Sequence, residues 1–490
     1  MLSIFENAEQ YDQRMALKDK DGSYTYNDLI KTSNNIASAL LSDKSDLKEE
    51  RIGFLIPPSF KYVSILWGIW KAGGIGVPLS LSATESELTH YLEDAKISLL
   101  ISDNEGTEKL RKLVSDLNIP LQNEKNLQGN KNKALPEIKK ERRAMILFTS
   151  GTTSKPKGVV STHTNIEAQI SSLVEAWEWD KDDLIPLILP LHHIHGIINS
   201  LSCPLWIGAT VDILGPFEIE KVIEAVQKNN YSVFTAVPTI YFSLIDKLER
   251  MDGKELELVK TKFKGMRLMM SGSAALAPEI HKKWSELTEQ DLLERYGMTE
   301  IGMALSNPLN GEKRPGSVGQ ALPEVEICLM ENNKIIQEES IPGEIMIKGP
   351  QVFLEYWNQA KTTEDSFFEG WFKTGDVAEL VDGYYKILGR ASVDIIKSGG
   401  YKISALEIED VLLKHPLVKE CAVIGIASEK WGEVVAAAIS TGDKLSLEDI
   451  QAWSLDFLSD YKIPRSLILL EELPKNAMGK VIKPEIKKLF

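Results

Sequence analysis

The run Thr149-Ser-Gly-Thr-Thr-Ser-Lys-Pro-Lys-Gly158 directly follows the apolar segment Ala144-Met-Ile-Leu-Phe148. The apolar segment is typical of a buried strand. The run after it combines glycines, hydroxyl side chains and lysines. This composition suits a polyphosphate, because glycine lets backbone N–H groups approach closely and lysine supplies charge. A Walker A loop needs a different Gly-Lys spacing and a helix directly after it. We therefore predict a phosphate-binding loop of another kind behind a buried strand.

The composition indicates a soluble globular protein with more than one domain. The chain has 490 residues, of which 43% are hydrophobic and 26% charged. A net charge of −15 argues against nucleic acid and anionic membranes as partners. The three cysteines, Cys203, Cys328 and Cys421, are far apart, which fits a reducing compartment rather than a disulfide framework or zinc site. We see no signal peptide, transit peptide or membrane-spanning segment, and predict a cytoplasmic protein without membrane insertion.

Short apolar segments alternate with helical patterns through the first 270 residues. Helical patterns at 219–228 and 239–249 separate some of these segments. The alternation predicts an α/β fold with largely parallel sheets. The apolar segments with strand character are 51–56, 97–102, 144–148, 184–189, 211–214, 233–237 and 267–270.

The pattern of the sequence changes after about residue 316, from alternating strands and helices to short strands separated by turns. Turn signals at Pro342-Gly343 and Asp382-Gly383 separate short strands, which predicts a small β-rich subdomain. A compact α+β unit follows Arg390. In this unit Ser404-Ala-Leu-Glu407 has the form of a capping box, and we expect its helix to run towards His415. A second helix is expected from Ser446 to about Tyr461, between strands at 420–426 and 466–470.

Further motifs carry groups that suit a nucleotide. Glu294-Arg-Tyr-Gly-Met-Thr-Glu300 offers a tyrosine to stack on a base, a threonine for phosphate and a carboxylate for Mg²⁺. Trp371-Phe-Lys-Thr-Gly-Asp376 offers an acid for ribose hydroxyls, and Arg390 a guanidinium. The remaining motifs are Arg267-Leu-Met-Met-Ser-Gly-Ser-Ala-Ala-Leu276, Asp394-Ile-Ile-Lys-Ser-Gly-Gly400 and Pro474-Lys-Asn-Ala-Met-Gly-Lys480.

In this order the motifs resemble those of the adenylate-forming superfamily, which includes acyl-CoA synthetases, nonribosomal-peptide adenylation domains and luciferases. The resemblance covers nearly the whole chain. It implies a large N-terminal domain, 1–390, built of doubly wound α/β subdomains plus a β-rich subdomain, which binds ATP and the acid. It also implies a small mobile α+β C-terminal domain, 391–490, which rotates between two half-reactions.

The resemblance also implies roles for individual residues. Lys480 is expected to bridge the acid carboxylate and the α-phosphate during adenylation, where a cation stabilises the developing charge. Thr299 is expected to bind phosphate, and Glu300 to hold Mg²⁺. CoA is expected to pass Ser398, Gly399 and Gly400. The expected ATP-binding residues are Thr149, Ser150, Gly151, Thr152, Thr153, Lys157, Ser271, Gly272, Ser273, Tyr296, Gly297, Met298, Asp376 and Arg390.

One position departs from the family pattern. The family hinge is usually Asp or Lys two residues after the arginine, but here that position is Ser392. The loop also looks one residue longer than in many members. The hinge is therefore Ser392 or Asp394.

The histidine-rich segment Leu191-His-His-Ile-His-Gly196 matches no zinc motif. In the family this place holds an aromatic residue or histidine that gates the acyl pocket, and we favour this role for His193 over a metal ligand or a packed turn. The expected acid-binding residues are Arg295, His193, Ser271 and Met303.

Arg295 stands where many family members have a small residue lining the acyl pocket. A guanidinium in an apolar pocket is costly unless it is paired, and a second carboxylate on the substrate would pair it. The surrounding sequence resembles malonyl-CoA synthetases, including the organellar eukaryotic branch. The alternative is that Arg295 turns outwards to an acid such as Glu294, which leaves an ordinary short- or medium-chain pocket.

The resemblance therefore implies a ligase that makes malonyl-AMP and then malonyl-CoA from malonate, ATP and CoA, with Mg²⁺ as cofactor and with release of AMP and pyrophosphate. Methylmalonate is an alternative acid. A stand-alone adenylation enzyme that loads a carrier protein is an alternative of another class, which the lack of a carrier domain disfavours. An acyl-AMP ligase without CoA would typically carry an insertion between the domains, and none is visible.

Overall fold

The computed structural model describes residues 2–129, 133–149, 156–399, 401–475 and 481–490. Its contacts divide the chain into two compact units. The first unit comprises residues 1–326 and 348–370, and the second comprises 327–347 and 371–490. The domain boundary expected at residue 390 stays a prediction.

The strands are β1 (Met15–Asp19), β2 (Gly22–Thr25), β3 (Arg51–Leu55), β4 (Ile75–Pro78), β5 (Leu99–Ser102), β6 (Leu121–Asn123), β7 (Arg143–Thr149), β8 (Lys157–Thr162), β9 (Leu184–Leu187), β10 (Thr210–Ile213), β11 (Val233–Ala236), β12 (Leu268–Ser271), β13 (Leu293–Met298), β14 (Gly302–Ser306), β15 (Gln320–Ala321), β16 (Glu326–Glu331), β17 (Lys334–Ile336), β18 (Gly343–Lys348), β19 (Glu355–Tyr356), β20 (Phe367–Phe368), β21 (Trp371–Val381), β22 (Tyr384–Arg390), β23 (Ile395–Ser398), β24 (Tyr401–Ser404), β25 (Glu420–Ser428), β26 (Gly432–Ser440) and β27 (Ser466–Leu470).

The α-helices are α1 (Ser3–Tyr11), α2 (Tyr26–Leu41), α3 (Phe60–Lys71), α4 (Glu85–Asp94), α5 (Asn104–Asp116), α6 (His163–Ala176), α7 (Cys203–Ile207), α8 (Ile219–Lys228), α9 (Pro238–Arg250), α10 (Gly253–Lys264), α11 (Pro278–Thr288), α12 (Ala360–Asp365), α13 (Ala405–Leu412), α14 (Leu447–Leu455) and α15 (Lys483–Lys487). A π-helix spans His195–Ser202, and short 3₁₀ turns span Glu124–Asn126 and Asp460–Lys462. Across the described ranges no helix has both the length and the apolar character needed to cross a membrane.

The first unit is built on sheets that are largely parallel. One sheet has the order β19-β8-β7-β4-β3-β5-β6, in which the strands from β7 to β6 run parallel and β8 and β19 are antiparallel additions. A second sheet has the order β11-β12-β13-β14-β15, parallel up to β13. A third has the order β2-β1-β10-β9. With helices between the strands, this architecture confirms the predicted α/β fold.

Aromatic packing supports the second of these sheets. Tyr241 on α9 and Trp284 on α11 are fully buried, and their ring centroids lie 5.2 Å apart. The Tyr241 hydroxyl donates to the carbonyl oxygen of Met270 in β12 at 2.7 Å. Buried aromatic pairs contribute beyond the area they bury. This packing holds the carboxyl end of β12 in place next to β13.

The second unit contains residues 327–347 and 371–389 of the predicted β-rich part, and the α+β part. In the first of these, β17, β16, β18, β21 and β22 lie side by side. In the second, the sheet order is β24-β23-β26-β25, with β27 parallel to β26. The Ser404 side chain accepts from the backbone N–H of Glu407, as expected of an N-cap. Helix α13 ends at Leu412 rather than at His415, because His415 precedes Pro416 and a residue before proline disfavours helical geometry.

Candidate active site

Strands β7 and β8, which flank the predicted phosphate loop in sequence, pair as an antiparallel hairpin. Thr149 and Lys157 pair across the hairpin and form the base of the loop. Lys157 Nζ lies 4.9 Å from the centroid of the Tyr356 ring. The expected ligands Ser150, Gly151, Thr152 and Thr153 lie outside the described residues.

Tyr356 connects this loop base to the predicted magnesium ligand. Its strand β19 pairs with β8, which places Tyr356 opposite Val159. The Tyr356 hydroxyl donates to Glu300 Oε1 at 2.9 Å, and Glu300 is buried. Tyr356 is not predicted from the sequence, in which the only local signal is the aromatic pair Tyr356-Trp357.

The hairpin of β13 and β14 carries most of the remaining predicted residues of the first unit. Tyr296 is buried, Gly297 pairs with Met303, and Thr299 and Glu300 form the tip. A Cβ added to Gly297 would lie 2.1 Å from the carbonyl oxygen of Gly302, so the close approach of the two strands requires glycine. Predicted ATP-binding and acid-binding residues therefore share one rigid element.

The Arg295 side chain is buried in the first unit and has no partner in the part of the chain that the structure describes. The residue is 2% exposed, and none of its three guanidinium nitrogens has a hydrogen-bond partner among the described residues. The guanidinium lies against Gly272, where an added Cβ would be 2.3 Å from Arg295 Nη1. Burial lowers the pKa of Arg295 from 12.5 to about 9, so the side chain stays cationic at neutral pH.

The alternative in which Arg295 pairs with Glu294 is wrong. Successive side chains of a strand point to opposite faces, so the two residues cannot share one pocket. Glu294 Oε1 instead accepts from the backbone N–H of Gly316 at 2.9 Å. Burial raises the pKa of Glu294 to about 8, which makes this carboxyl mostly neutral at pH 7.

His195, rather than His193, is built into the site. It lies in the π-helix, with Nδ1 3.1 Å from Ser273 Oγ and Nε2 2.7 Å from Thr235 Oγ1. Burial, together with the nearby Arg295 charge, keeps the pKa of His195 well below its ordinary value. The ring is therefore neutral. Ser273 itself has φ +70°, a left-handed conformation that costs energy in a non-glycine residue. The gate role of the exposed His193 stays a prediction.

Other buried polar groups of the first unit also lack partners. Ser271 ends β12 and is 1% exposed, yet its Oγ has no hydrogen-bond partner in the part of the chain that is described. Asn199 in the π-helix is fully buried, and neither its Nδ2 nor its Oδ1 has a hydrogen-bond partner among the described residues. Such groups call for a ligand or water, because buried polar atoms are nearly always hydrogen-bonded. The sequence gives no signal for Asn199.

The second unit holds the predicted ribose residues. Asp376 and Arg390 pair across β21 and β22, and Arg390 Nε lies 2.9 Å from Asp376 Oδ1. Arg390 Nη1 also donates to the carbonyl oxygen of Thr374 at 2.9 Å. A fixed guanidinium and carboxylate suit two neighbouring hydroxyls.

The predicted CoA residues also lie in the second unit. Ser398 ends β23, and the backbone N–H of Gly399 donates to the carbonyl oxygen of Trp431 at 2.8 Å. A Cβ added to Gly399 would lie 3.0 Å from the Trp431 ring, and its φ of +56° favours glycine. Gly400 and Lys480 lie outside the described residues.

The comparisons with known proteins agree with this architecture. The family model described as "AMP-binding enzyme" matches residues 4–357, and the model of the "AMP-binding enzyme C-terminal domain" matches residues 407–480. The chain belongs to the AMP-binding enzyme family, and the predicted resemblance to adenylate-forming enzymes is confirmed.

Within this family the chain is similar to malonate–CoA ligases. It is 40% identical to the mitochondrial malonate–CoA ligase ACSF3 of Xenopus laevis, over 99% of this chain and 91% of that protein. ATP-bound MatB from Rhodopseudomonas palustris has a TM-score of 0.88 at 28% identity, covering 100% and 99% of the two chains. O-succinylbenzoate–CoA synthetase of Bacillus subtilis, in complex with ATP and magnesium, has a TM-score of 0.84 at 26% identity, covering 99% of each.

Proposed function

We propose that this protein is an AMP-forming malonate–CoA ligase. In the first half-reaction a malonate carboxylate attacks the α-phosphate of ATP, which gives malonyl-AMP and pyrophosphate. In the second half-reaction the CoA thiol attacks the acyl carbon, which gives malonyl-CoA and AMP. The observation that carries the proposal is the buried guanidinium of Arg295, which has no partner among the described residues.

The guanidinium selects the acid by charge and shape. A buried cation is unfavourable until it is paired, and a carboxylate can accept two parallel N–H bonds from arginine. Malonate brings two carboxylates, so one can react while the other pairs with Arg295. A monocarboxylic acid would leave the cation unpaired. The similarity to relatives named malonate–CoA ligases supports this assignment.

Glu300 fits the role of a magnesium ligand. It offers a buried carboxylate at a rigid hairpin tip, oriented by the Tyr356 hydroxyl and lying beside the base of the phosphate loop. Mg²⁺ prefers oxygen ligands and is commonly held by one or two carboxylates together with substrate phosphates. Bound there, the ion would neutralise the charge of the departing pyrophosphate. Thr299 is proposed to bind phosphate, and Tyr296 to stack on adenine.

Residues of the second unit complete the proposal. Asp376 and Arg390 are proposed to hold the ribose, and Ser398 and Gly399 to line the path of CoA. Lys480 is proposed to stabilise charge during adenylation. The part from residue 391 to 490 is proposed to act as a mobile lid that rearranges between the half-reactions.

The partners and the location of the protein are also proposals. Methylmalonate is a second candidate acid, because it carries the same two carboxylates. We propose free CoA rather than a carrier protein as the acceptor. We retain the cytoplasm as the proposed location, although relatives such as the Xenopus protein are named mitochondrial.

A pyrophosphate-release assay tests the proposal. The purified protein is given ATP, Mg²⁺ and one of malonate, methylmalonate, succinate, acetate or butyrate, with and without CoA. We expect the highest kcat/KM with malonate and formation of a thioester only with CoA. Higher kcat/KM for butyrate than for malonate would contradict the assignment of the acid, and a lack of thioester would contradict the assignment of a CoA ligase.

A further inference from the structure

A largely shielded ion cluster in the second unit joins three separate segments of the chain. Lys483 Nζ lies 2.6 Å from Asp394 Oδ1 and 2.8 Å from Glu409 Oε1. The three side chains are only 11%, 15% and 14% exposed in that order. Lys483 begins α15, Glu409 lies on α13, and Asp394 follows the end of β22. We call these three residues the ion triad.

Asp394 connects the triad to the proposed ribose site. Its second oxygen, Oδ2, accepts from the backbone N–H of Arg390 at 3.0 Å. Arg390 in turn is ion-paired with Asp376. A Cβ added to Gly389 would lie 2.4 Å from the Asp394 Cβ, so the turn closes tightly around this carboxylate. Asp394 thus uses both of its oxygens, one for Lys483 and one for the turn at Arg390.

Lys483 links the triad to the segment that carries Lys480. Lys475 and Val481 form an antiparallel bridge, and the backbone N–H of Ile482 donates to the carbonyl oxygen of Pro474 at 2.8 Å. The segment between the bridged residues contains Lys480 and lies outside the described residues. Because Lys483 lies two residues after the bridged Val481, its ion pairs anchor the base of the segment that carries Lys480.

We propose that Asp394 and Lys483 form a positioning pair that holds the base of the Lys480 segment in register with Arg390 during adenylation. This inference rests on the proposed function, in which Lys480 acts only in the first half-reaction. The pair is therefore needed for adenylation and not for thioester formation. Glu409 has a different part in the triad: it balances charge and ties Lys483 to α13.

The composition of the triad provides a matched pair of variants. It contains two carboxylates and one ammonium group, so removal of either acid leaves Lys483 with one buried partner. In Glu409→Gln the amide oxygen can still accept from the backbone N–H of Val423, which now lies 2.7 Å from Glu409 Oε1. In Asp394→Asn only one oxygen remains, so either the Lys483 contact or the Arg390 contact is lost. Both variants remove one negative charge from the triad, but only Asp394→Asn also affects the link to Arg390.

Two assays separate the half-reactions. Adenylation is measured as malonate-dependent exchange of pyrophosphate into ATP, and thioester formation is measured from supplied malonyl-AMP and CoA. We expect Asp394→Asn to slow adenylation about 100-fold, the size of effect that a shift of roughly 1 Å produces in a catalytic group. Thioester formation by Asp394→Asn should stay near the wild-type rate. Glu409→Gln should keep both rates near wild type.

Other outcomes overturn the inference. Equal slowing of adenylation in both acid variants, or in neither, would reduce the triad to a structural feature. Loss confined to thioester formation in Asp394→Asn would assign Asp394 to the hinge instead. If Asp394→Asn does not fold, Lys483→Arg keeps both charges paired while changing the geometry, and it should slow adenylation selectively; unchanged adenylation in that variant would also overturn the inference.

A failure of the proposed function is recognisable separately. Wild-type protein without malonate-dependent exchange would refute the ligase assignment, whatever the variants do. Wild-type exchange that disappears in Lys480→Ala would support the role of Lys480, and the triad variants would then report on the positioning pair alone.

Discussion

Replacement of Arg295 by methionine should raise stability and abolish selectivity for malonate. The structure gives the reason for the first effect: a cation that is 2% exposed has no partner among the described residues. The fall of its pKa from 12.5 to about 9 corresponds to a burial cost on the order of 5 kcal/mol at 1.36 kcal/mol per pKa unit. Replacement of buried charge by an apolar side chain typically stabilises by about 1–4 kcal/mol. We expect a rise of that size in the free energy of unfolding without ligand.

The second effect is a loss of activity that depends on the acid. Truncation of one partner of a buried charge pair costs about 2–5 kcal/mol. This corresponds to a decrease in kcat/KM for malonate of roughly 30- to 5,000-fold. Activity with acetate, propionate or butyrate should hold or rise in Arg295→Met, because the pocket no longer contains an unpaired cation. In the wild type succinate should be a poor substrate, since a fixed arginine sets one distance between the two carboxylates.

Arg267 provides a matched control in the same unit. Its guanidinium is paired with Asp183, with Nε 2.9 Å from Asp183 Oδ1, and the Asp183 side chain is 3% exposed. Arg267→Met should destabilise by about 3–5 kcal/mol, because it removes the cation that is paired with a buried carboxylate. Urea unfolding without ligand and kcat/KM for each acid are measured for both variants. If Arg295→Met destabilises like Arg267→Met, or lowers kcat/KM equally for all acids, Arg295 is structural and the malonate assignment loses its support.

Four further predictions test the rest of the site. Lys480→Ala should abolish adenylation but spare thioester formation from supplied malonyl-AMP, whereas equal loss of both half-reactions would contradict its role. Glu300→Gln should impair ATP-dependent activity without lowering the thermal midpoint; a collapsed midpoint would make Glu300 structural. Gly272→Ala should lower kcat/KM for malonate by displacing the Arg295 guanidinium, and should have no further effect in Arg295→Met, which a double-mutant cycle measures. Burial raises the pKa of Glu294 from 4.5 to about 8, so between these values the folded state holds a proton that the unfolded state lacks, and stability falls as pH rises. Urea unfolding at pH 5.5 and 7.5 should therefore show that Glu294→Gln removes a slope of about 1.4 kcal/mol per pH unit; an unchanged slope would contradict this.

The sequence predicts the central strands of the first unit well because these strands are buried on both faces. A central strand such as β7 reads as an uninterrupted apolar run, and this pattern is independent of what packs against it. The apolar run at 466–470 also predicted β27, although no residue of this strand is fully buried. The short strand β19 has no such pattern. Its position follows only from pairing with β8, so the contact of Tyr356 with Glu300 was not predictable from local sequence.

The directions of the side chains at the site also depend on tertiary structure, like the position of β19. The period of a strand requires Glu294 and Arg295 to point to opposite faces, but it does not say which one points inwards. The histidine segment has the same ambiguity, because a π-helix shifts the angular position of each residue relative to an α-helix. The sequence favoured His193 for the pocket, whereas the structure brings His195 into contact with Ser273.

Buried polar groups of this protein differ in whether the protein itself supplies their partner, and this difference indicates which of them bind a ligand. Arg267 and Lys483 are partly buried, and each contacts at least one carboxylate of the protein itself, so neither needs a ligand to pair its charge. By contrast, Arg295 in the middle of β13 and the hydroxyl of Ser271 at the carboxyl end of the neighbouring β12 are buried without partners in the described residues. Evolution of a stable fold alone would not retain such an arrangement, because an apolar side chain at position 295 would be more favourable. The arrangement is explained if a substrate carboxylate completes it, and this reasoning, rather than the family resemblance alone, points to a dicarboxylic acid.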